Sequence, residues 1–176
     1  MSYETSMKWL SAALIALVAT LMFHAYDKYV PYGVRYVGTT SIPTGFYLSK
    51  TYVHGSGLAA GEFVCFKPSL PEWRRLQEPS GFVGSFCKKV LAVPGYTLTA
   101  RGPDRFAIAG SSEVWLGKVL SKDSLGRPVQ PAALPETPIP PGMYWLGGLN
   151  HPNSFDSRYL GLVEDQSIEV VLTPLR

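Results

Sequence analysis

From Trp9 to Tyr26 the chain carries no Asp, Glu, Lys or Arg, and Trp9 to Phe23 reads WLSAALIALVATLMF. A run this apolar needs lipid around it, a protein core around it, or removal as a leader. Eighteen helical residues rise about 27 Å, close to the ~30 Å of a bilayer's hydrocarbon, so the segment is long enough to cross. Cleavage as a signal peptide needs small residues at the end of the run, whereas Phe23 and His24 put rings there and no Ala-x-Ala occurs. The segment is therefore expected to be an uncleaved transmembrane anchor over residues 9–26, behind a short tail over residues 1–8. Trp9 and Tyr26 suit the two interfacial positions. Lys8 precedes the run, and Lys28 and Arg35 follow it, so flanking charge leaves the orientation open.

Residues 27–176 are the right size for one domain. Hydrophobic residues make up 46% of the chain and charged residues 16%, which supplies a core and excludes a disordered solvating chain. The net charge of +3 comes without a basic cluster, so nucleic acid is not expected as a partner. With 15 Pro, 17 Gly and many aromatics, short strands and frequent turns are expected in place of a helical bundle. Cys65 and Cys87 are compatible with a disulfide in an oxidising compartment and equally with two reduced core thiols. Neither their spacing nor the scattered His24, His54 and His151 forms a metal-binding pattern, and no metal or cofactor is expected.

Runs of β-branched and aromatic residues bounded by Gly and Pro predict strands at 61–66, 86–93, 96–100, 106–109, 113–120, 142–146 and 167–172, all short and suited to antiparallel sheets. Asp27 to Tyr36 reads as a polar and aromatic connector. Ser69 to Gln77, with a capping-type Ser and an early Pro, predicts one or two helical turns in a surface excursion. The prolines between Pro128 and Pro141 predict an extended surface strap.

Three segments carry groups capable of chemistry. Gly38 to Tyr47 (GTTSIPTGFY) sets Ser41 on a turn shaped by Pro43 and Gly45, where a hydroxyl can be held at a fixed angle, although a plain Ser/Thr turn has the same composition. Cys87 to Gly95 (CKKVLAVPG) places two lysines in an apolar strand. Alternation sends Lys88 and Lys89 to opposite faces, so one of them must point inward or into a cleft. Snorkelling along apolar neighbours is the bland outcome; a desolvated amine, neutral enough to take a proton, is the chemical one. Gly147 to Gly161 (GGLNHPNSFDSRYLG) packs Asn153, Ser154, Asp156, Ser157 and Arg158 between glycines, a density that fixes a loop by internal hydrogen bonds.

Taken together, and with Gly61 to Phe66 lying between the first two, these segments resemble in order and spacing the boxes of the type I signal peptidase family. The SIPTGFY sequence, single apolar segment and short chain look most like the TraF-like peptidases of conjugative transfer systems, which process pilin precursors. The resemblance implies a mainly β, signal-peptidase-like antiparallel β-sheet domain carrying an N-terminal transmembrane helix. It implies Ser41 as nucleophile and Lys88 as general base, and an oxyanion hole from Thr39 and the Ser41 backbone N–H. It also implies Ser154 orienting the lysine, with Asp156 and Arg158 bracing the site. Lys89 stands where the family usually has Arg, Leu149 where Asp is common, and Tyr96 where Asp usually follows Pro-Gly.

The activity implied is that of a membrane-anchored serine endopeptidase cleaving signal peptides from exported precursors, a pilin subunit among them. Its partners would be the precursor protein and the lipid bilayer, and it would sit in the bacterial inner membrane as a single-pass protein with its catalytic domain on the periplasmic side. Selection of Ala-x-Ala before the cleavage point is implied by the same resemblance. A self-cleaving repressor-type protease shares the chemistry but requires a DNA-binding helical region that the N-terminus does not offer. A non-catalytic, membrane-tethered β domain that binds a secretion or pilus partner is the remaining alternative, and requires Ser41 and Lys88 to lie more than ~7 Å apart.

Overall fold

The computed structural model describes residues 9, 12–22, 31–77 and 84–175. The chain divides into two units, Met1–Gly33 and Val34–Arg176. In the first, residues 12–22 are helical and exposed. Among the described residues no helix is long and apolar enough to cross a membrane. Residues 10–11 and 23–26 of the expected anchor, and the tail over residues 1–8, lie outside the described residues.

The second unit is mainly β. A seven-stranded sheet has the order β1-β2-β10-β3-β4-β8-β9, built from β1 (Tyr32–Val37), β2 (Gly45–Thr51), β3 (Phe63–Phe66), β4 (Phe86–Ala92), β8 (Met143–Gly147), β9 (Val163–Glu164) and β10 (Ile168–Pro174). A smaller three-stranded sheet joins β5 (Thr97–Arg101), β6 (Asp104–Ala109) and β7 (Ser112–Lys118). Two short helices, α1 (Glu72–Gln77) and α2 (Ser157–Leu160), interrupt the strands. The registered strand pairs are antiparallel, as short turn-separated strands favour.

Strand β4 lies between β3 and β8. Its apolar residues feed two separate cores: Val90 packs with Val64, Phe66, Tyr144 and Leu146, whereas Leu91 and Ala92 pack with Leu98, Leu116 and Trp145. A bulge between Val90 and Ala92 lets Leu91 turn toward the second core. A third core of Val37, Ile42, Tyr47, Cys65 and Leu172 seats the turn after β1.

One expectation changes. Residues 32–36, the end of the expected connector, form β1 together with Val37, because Tyr, Val, Arg, Tyr and Val at these positions suit a strand once β2 is there to pair with it. The excursion carrying α1 lies at the surface, with none of its helical residues buried, and is tied down there. Trp73 meets the Phe155 ring edge-on at 5.9 Å, Arg74 lies over that ring, and Arg74 is paired with Asp123 at 3.3 Å.

Candidate active site

The turn over residues 38–42 follows β1 directly, and Ile42, almost wholly buried, pins it to the third core. This fixes the backbone on either side of Ser41, which is half-buried. Tyr47 donates a hydrogen bond to the Pro43 carbonyl at 2.5 Å and holds the far side of the turn.

On β4, Lys88 is in register with Val64 of β3, and only 5% of it is exposed. Lys89 takes the other face, exposed, with its ammonium over the Phe63 ring. Of the two lysines, Lys88 is the inward one. Its Nζ lies 2.7 Å from Ser41 Oγ and 2.8 Å from Ser154 Oγ, and the two hydroxyl oxygens are 3.3 Å apart. Burial lowers the Lys88 pKa to about 8; nearby Asp156 works against the shift and Arg158 works with it. An amine with that affinity for protons is partly neutral near physiological pH.

The late loop is held from beneath. Asp156 caps α2, accepting from the backbone N–H of Arg158 and, through Oδ2, from the N–H of Gly148 at 2.9 Å. Arg158 clasps the same carboxylate, Nε to Oδ1 at 2.8 Å and Nη2 to Oδ2 at 2.9 Å. Its Nη2 also donates to the carbonyl of Ser154 at 2.9 Å, and its Nη1 to that of Lys118 at 2.8 Å. Burial works to lower the Arg158 pKa, but hydrogen bonds to Asp156 and its charge outweigh this, and the guanidinium is held above its ordinary value. This buried ion pair locks the backbone that carries Ser154. Ser157 completes the attachment by accepting from the Leu146 N–H of β8 at 2.9 Å. Leu149, where an acid is common, instead lies against Gly117 beside the Arg158 stem.

Thr39 is exposed on the same turn as Ser41 and lines the same cleft. Among the described residues, neither the Thr39 hydroxyl nor the Ser41 backbone N–H has a hydrogen-bond partner, so both are open to a ligand oxygen. The cleft holds about 700 Å³, and Tyr36, Val37, Phe86, His151 and Phe155 are among the residues that line it. Cys87, part of its lining, is disulfide-bonded to Cys65, which joins β3 to β4 directly beside Lys88.

Thus Ser41, Lys88 and Ser154 meet, Asp156 and Arg158 lie beneath them, and Thr39 stands at the rim. The separation that a non-catalytic domain would require is absent. The residue overlooked in the sequence is Gly148. A Cβ there would lie 2.2 Å from Ser154 Oγ and 2.8 Å from Ser41 Cβ. The signal for it was the paired glycine at the end of a strand, where close backbone approach is one of glycine's uses.

A fold of antiparallel sheets that brings a serine, a buried lysine and a second hydroxyl into one cleft places an alcohol beside an amine, the kind of pairing on which nucleophilic hydrolysis draws. The chain matches the family described as signal peptidase, peptidase S26, over residues 6–172, and it belongs to that family of serine endopeptidases. Among solved structures it is similar to a signal peptidase I from Enterococcus faecalis V583, at 21% identity, over 66% of this chain and 97% of that one, with a TM-score of 0.37. None of the curated proteins compared with the chain matches it.

Proposed function

We propose that this chain is a membrane-anchored endopeptidase that removes signal peptides from exported precursors, using Ser41 as nucleophile and Lys88 as general base. The observation that carries the proposal is the 2.7 Å contact between Lys88 Nζ and Ser41 Oγ in a site where burial brings the amine to about pKa 8. A neutral amine accepts the hydroxyl proton as Oγ attacks the scissile carbonyl. The carbonyl oxygen then takes negative charge beside the Ser41 N–H and the Thr39 hydroxyl. The protonated amine of Lys88 next hands its proton to the leaving amine, giving an acyl-enzyme. A water, deprotonated by the same amine, releases the acyl group. Ser154 keeps the lysine aimed throughout, with Asp156 and Arg158 holding Ser154.

The substrate favoured within this reading is a pilin precursor of a conjugative transfer system, on the TraF-like features of the sequence. The domain division is a tail over residues 1–8, an anchor over 9–26 and a peptidase domain over 27–176. Placement in the bacterial inner membrane, catalytic domain outward, is supported by the Cys65–Cys87 disulfide, a bond that persists in oxidising compartments. Exposed Val34, Tyr36 and Phe46 beside the cleft support a site working near lipid.

The test is incubation of the detergent-solubilised chain with a pilin or secretory precursor, and mapping of any new terminus by mass spectrometry. Wild type should generate one new terminus, and Ser41→Ala and Lys88→Ala, folded by circular dichroism, none. Full activity in either variant would falsify the assignment.

A further inference from the structure

The guanidinia of Arg74, Arg101, Arg127 and Arg158 each meet a carboxylate. Arg35 is different. It is half-buried on β1 and lines the catalytic cleft, yet it has no hydrogen bond or ion pair among the described residues. Among the described residues the cleft offers it no acid: its lining there contains Arg35, Lys88 and His151 but neither Asp nor Glu. Glu169, whose carboxylate accepts from the rim residue Ser85, is also paired with Lys67 at 3.7 Å. His151 does not compensate, since its Nδ1 accepts from the Asn153 N–H at 3.2 Å.

Strand alternation puts Arg35 on the same face of β1 as buried Val37, while Val34 and Tyr36 are exposed. Val37 leads into the turn that carries Ser41. An extended substrate lying along β1, with its carbonyl at Ser41, presents its first and third residues before the scissile bond to one face, about 6.6 Å apart. Val37 and Arg35 have that same two-residue spacing. With the first side chain set opposite Val37, the residue that leads into the Ser41 turn, the third falls opposite Arg35. A half-buried arginine left without a counter-ion is matched by a carboxylate, which its guanidinium binds through two parallel N–H donors.

Resting on the peptidase reading above, we infer that Arg35 forms an acidic-residue subsite, so this enzyme selects precursors with Asp or Glu at the third position before the cleavage point. The small residue implied there by resemblance is replaced by a carboxylate-bearing one, and the small-residue requirement stays at the first position.

The test uses the detergent-solubilised full chain and three synthetic peptides, alike except for Glu, Gln or Arg at that third position. Wild type should cleave the Glu peptide with a kcat/KM about tenfold above the Arg peptide, with Gln between them. Arg35→Glu should reverse the order of Glu and Arg within the same preparation, a ratio that general loss of activity does not move. Binding of the same peptides to Ser41→Ala, by fluorescence anisotropy, should follow the wild-type order. Ser41-dependent cleavage with a Glu-to-Arg ratio near one, or an unreversed ratio in Arg35→Glu, overturns the subsite and leaves the peptidase reading standing. A ratio near one with cleavage rising on anionic-lipid vesicles overturns it in favour of a headgroup contact. Absence of Ser41-dependent cleavage of all three peptides overturns both.

Discussion

Ser154 occupies the space that a side chain on residue 148 would need: a Cβ on Gly148 would stand 2.2 Å from the Ser154 hydroxyl oxygen. The backbone of the β8 exit thus forms a wall of the site. Gly148 also donates its N–H to Asp156, so one residue sets both the floor and the flank of the lysine's surroundings.

Gly148→Ala should cripple the enzyme while leaving the fold in place. The added methyl must push Ser154 and Ser41 apart from Lys88, and a displacement of ~1 Å in a catalytic constellation costs on the order of a hundredfold. Precursor processing at saturating substrate should fall by about that factor with unchanged far-ultraviolet circular dichroism. Retention of more than half the wild-type rate would show that the two hydroxyls need not sit where they do.

The pH dependence follows from burial of Lys88. The amine must be neutral to accept the Ser41 proton, and at pH 7 roughly a tenth of a group with pKa about 8 is neutral. Below pH 8, kcat/KM should rise about tenfold per pH unit, then level above it. A profile that stays flat below pH 8 would show that Lys88 is not the base.

The same burial has a cost in stability, and its sign is fixed. The folded Lys88 pKa, about 8, lies below the ordinary 10.5, so the unfolded chain binds more protons between these values and stability rises with pH across that window. Below pH 8 the full penalty applies, about 3 kcal/mol at ~1.36 kcal/mol per pH unit. Lys88→Met, similar in length and apolar, should therefore be inactive yet more stable at pH 7 by about 2 kcal/mol in urea titration, and the gain should vanish by pH 10.5. A destabilised Lys88→Met would mean that the hydroxyls left behind are costlier than the buried amine.

Removing the Cys65–Cys87 bond should lower stability and loosen the site together. The bridge closes a loop of sequence separation 22, worth about 3 kcal/mol in the chain-entropy account. A Cys65→Ala, Cys87→Ala double variant should lose about that much in denaturant midpoint terms. Because residue 87 adjoins Lys88 on β4, its kcat should fall more than its KM rises. An unchanged melting profile would show that the β3–β4 pairing needs no covalent help.

Much of the architecture was legible because the relevant signals are local. The apolar run from Phe86 to Val93, its Pro-Gly stop and the short strands after it are patterns of propensity and punctuation, and they recur as β4 to β8 with boundaries moved by a residue or two. β1 and β2 were hidden for a nonlocal reason. β2 pairs with β10, residue Thr51 against Val170, and nothing near Thr51 in the chain announces that partner. The same holds for α1, whose attachment depends on Phe155 and Asp123.

What the sequence determined by itself was the inventory: a long uncharged segment, a serine on a tight turn, two lysines on opposite faces of one strand, and an acid–base pair in a dense loop. Alternation required one lysine to be inward without saying which. The tertiary structure decided that, through the register that sets Val64 against Lys88 and Cys65 against Cys87, and it alone brought Ser154 across to the amine. The physical reason is that proton affinity and nucleophilicity belong to a group's surroundings. Desolvation depends on how many distant atoms close over the amine, and only the folded chain supplies them.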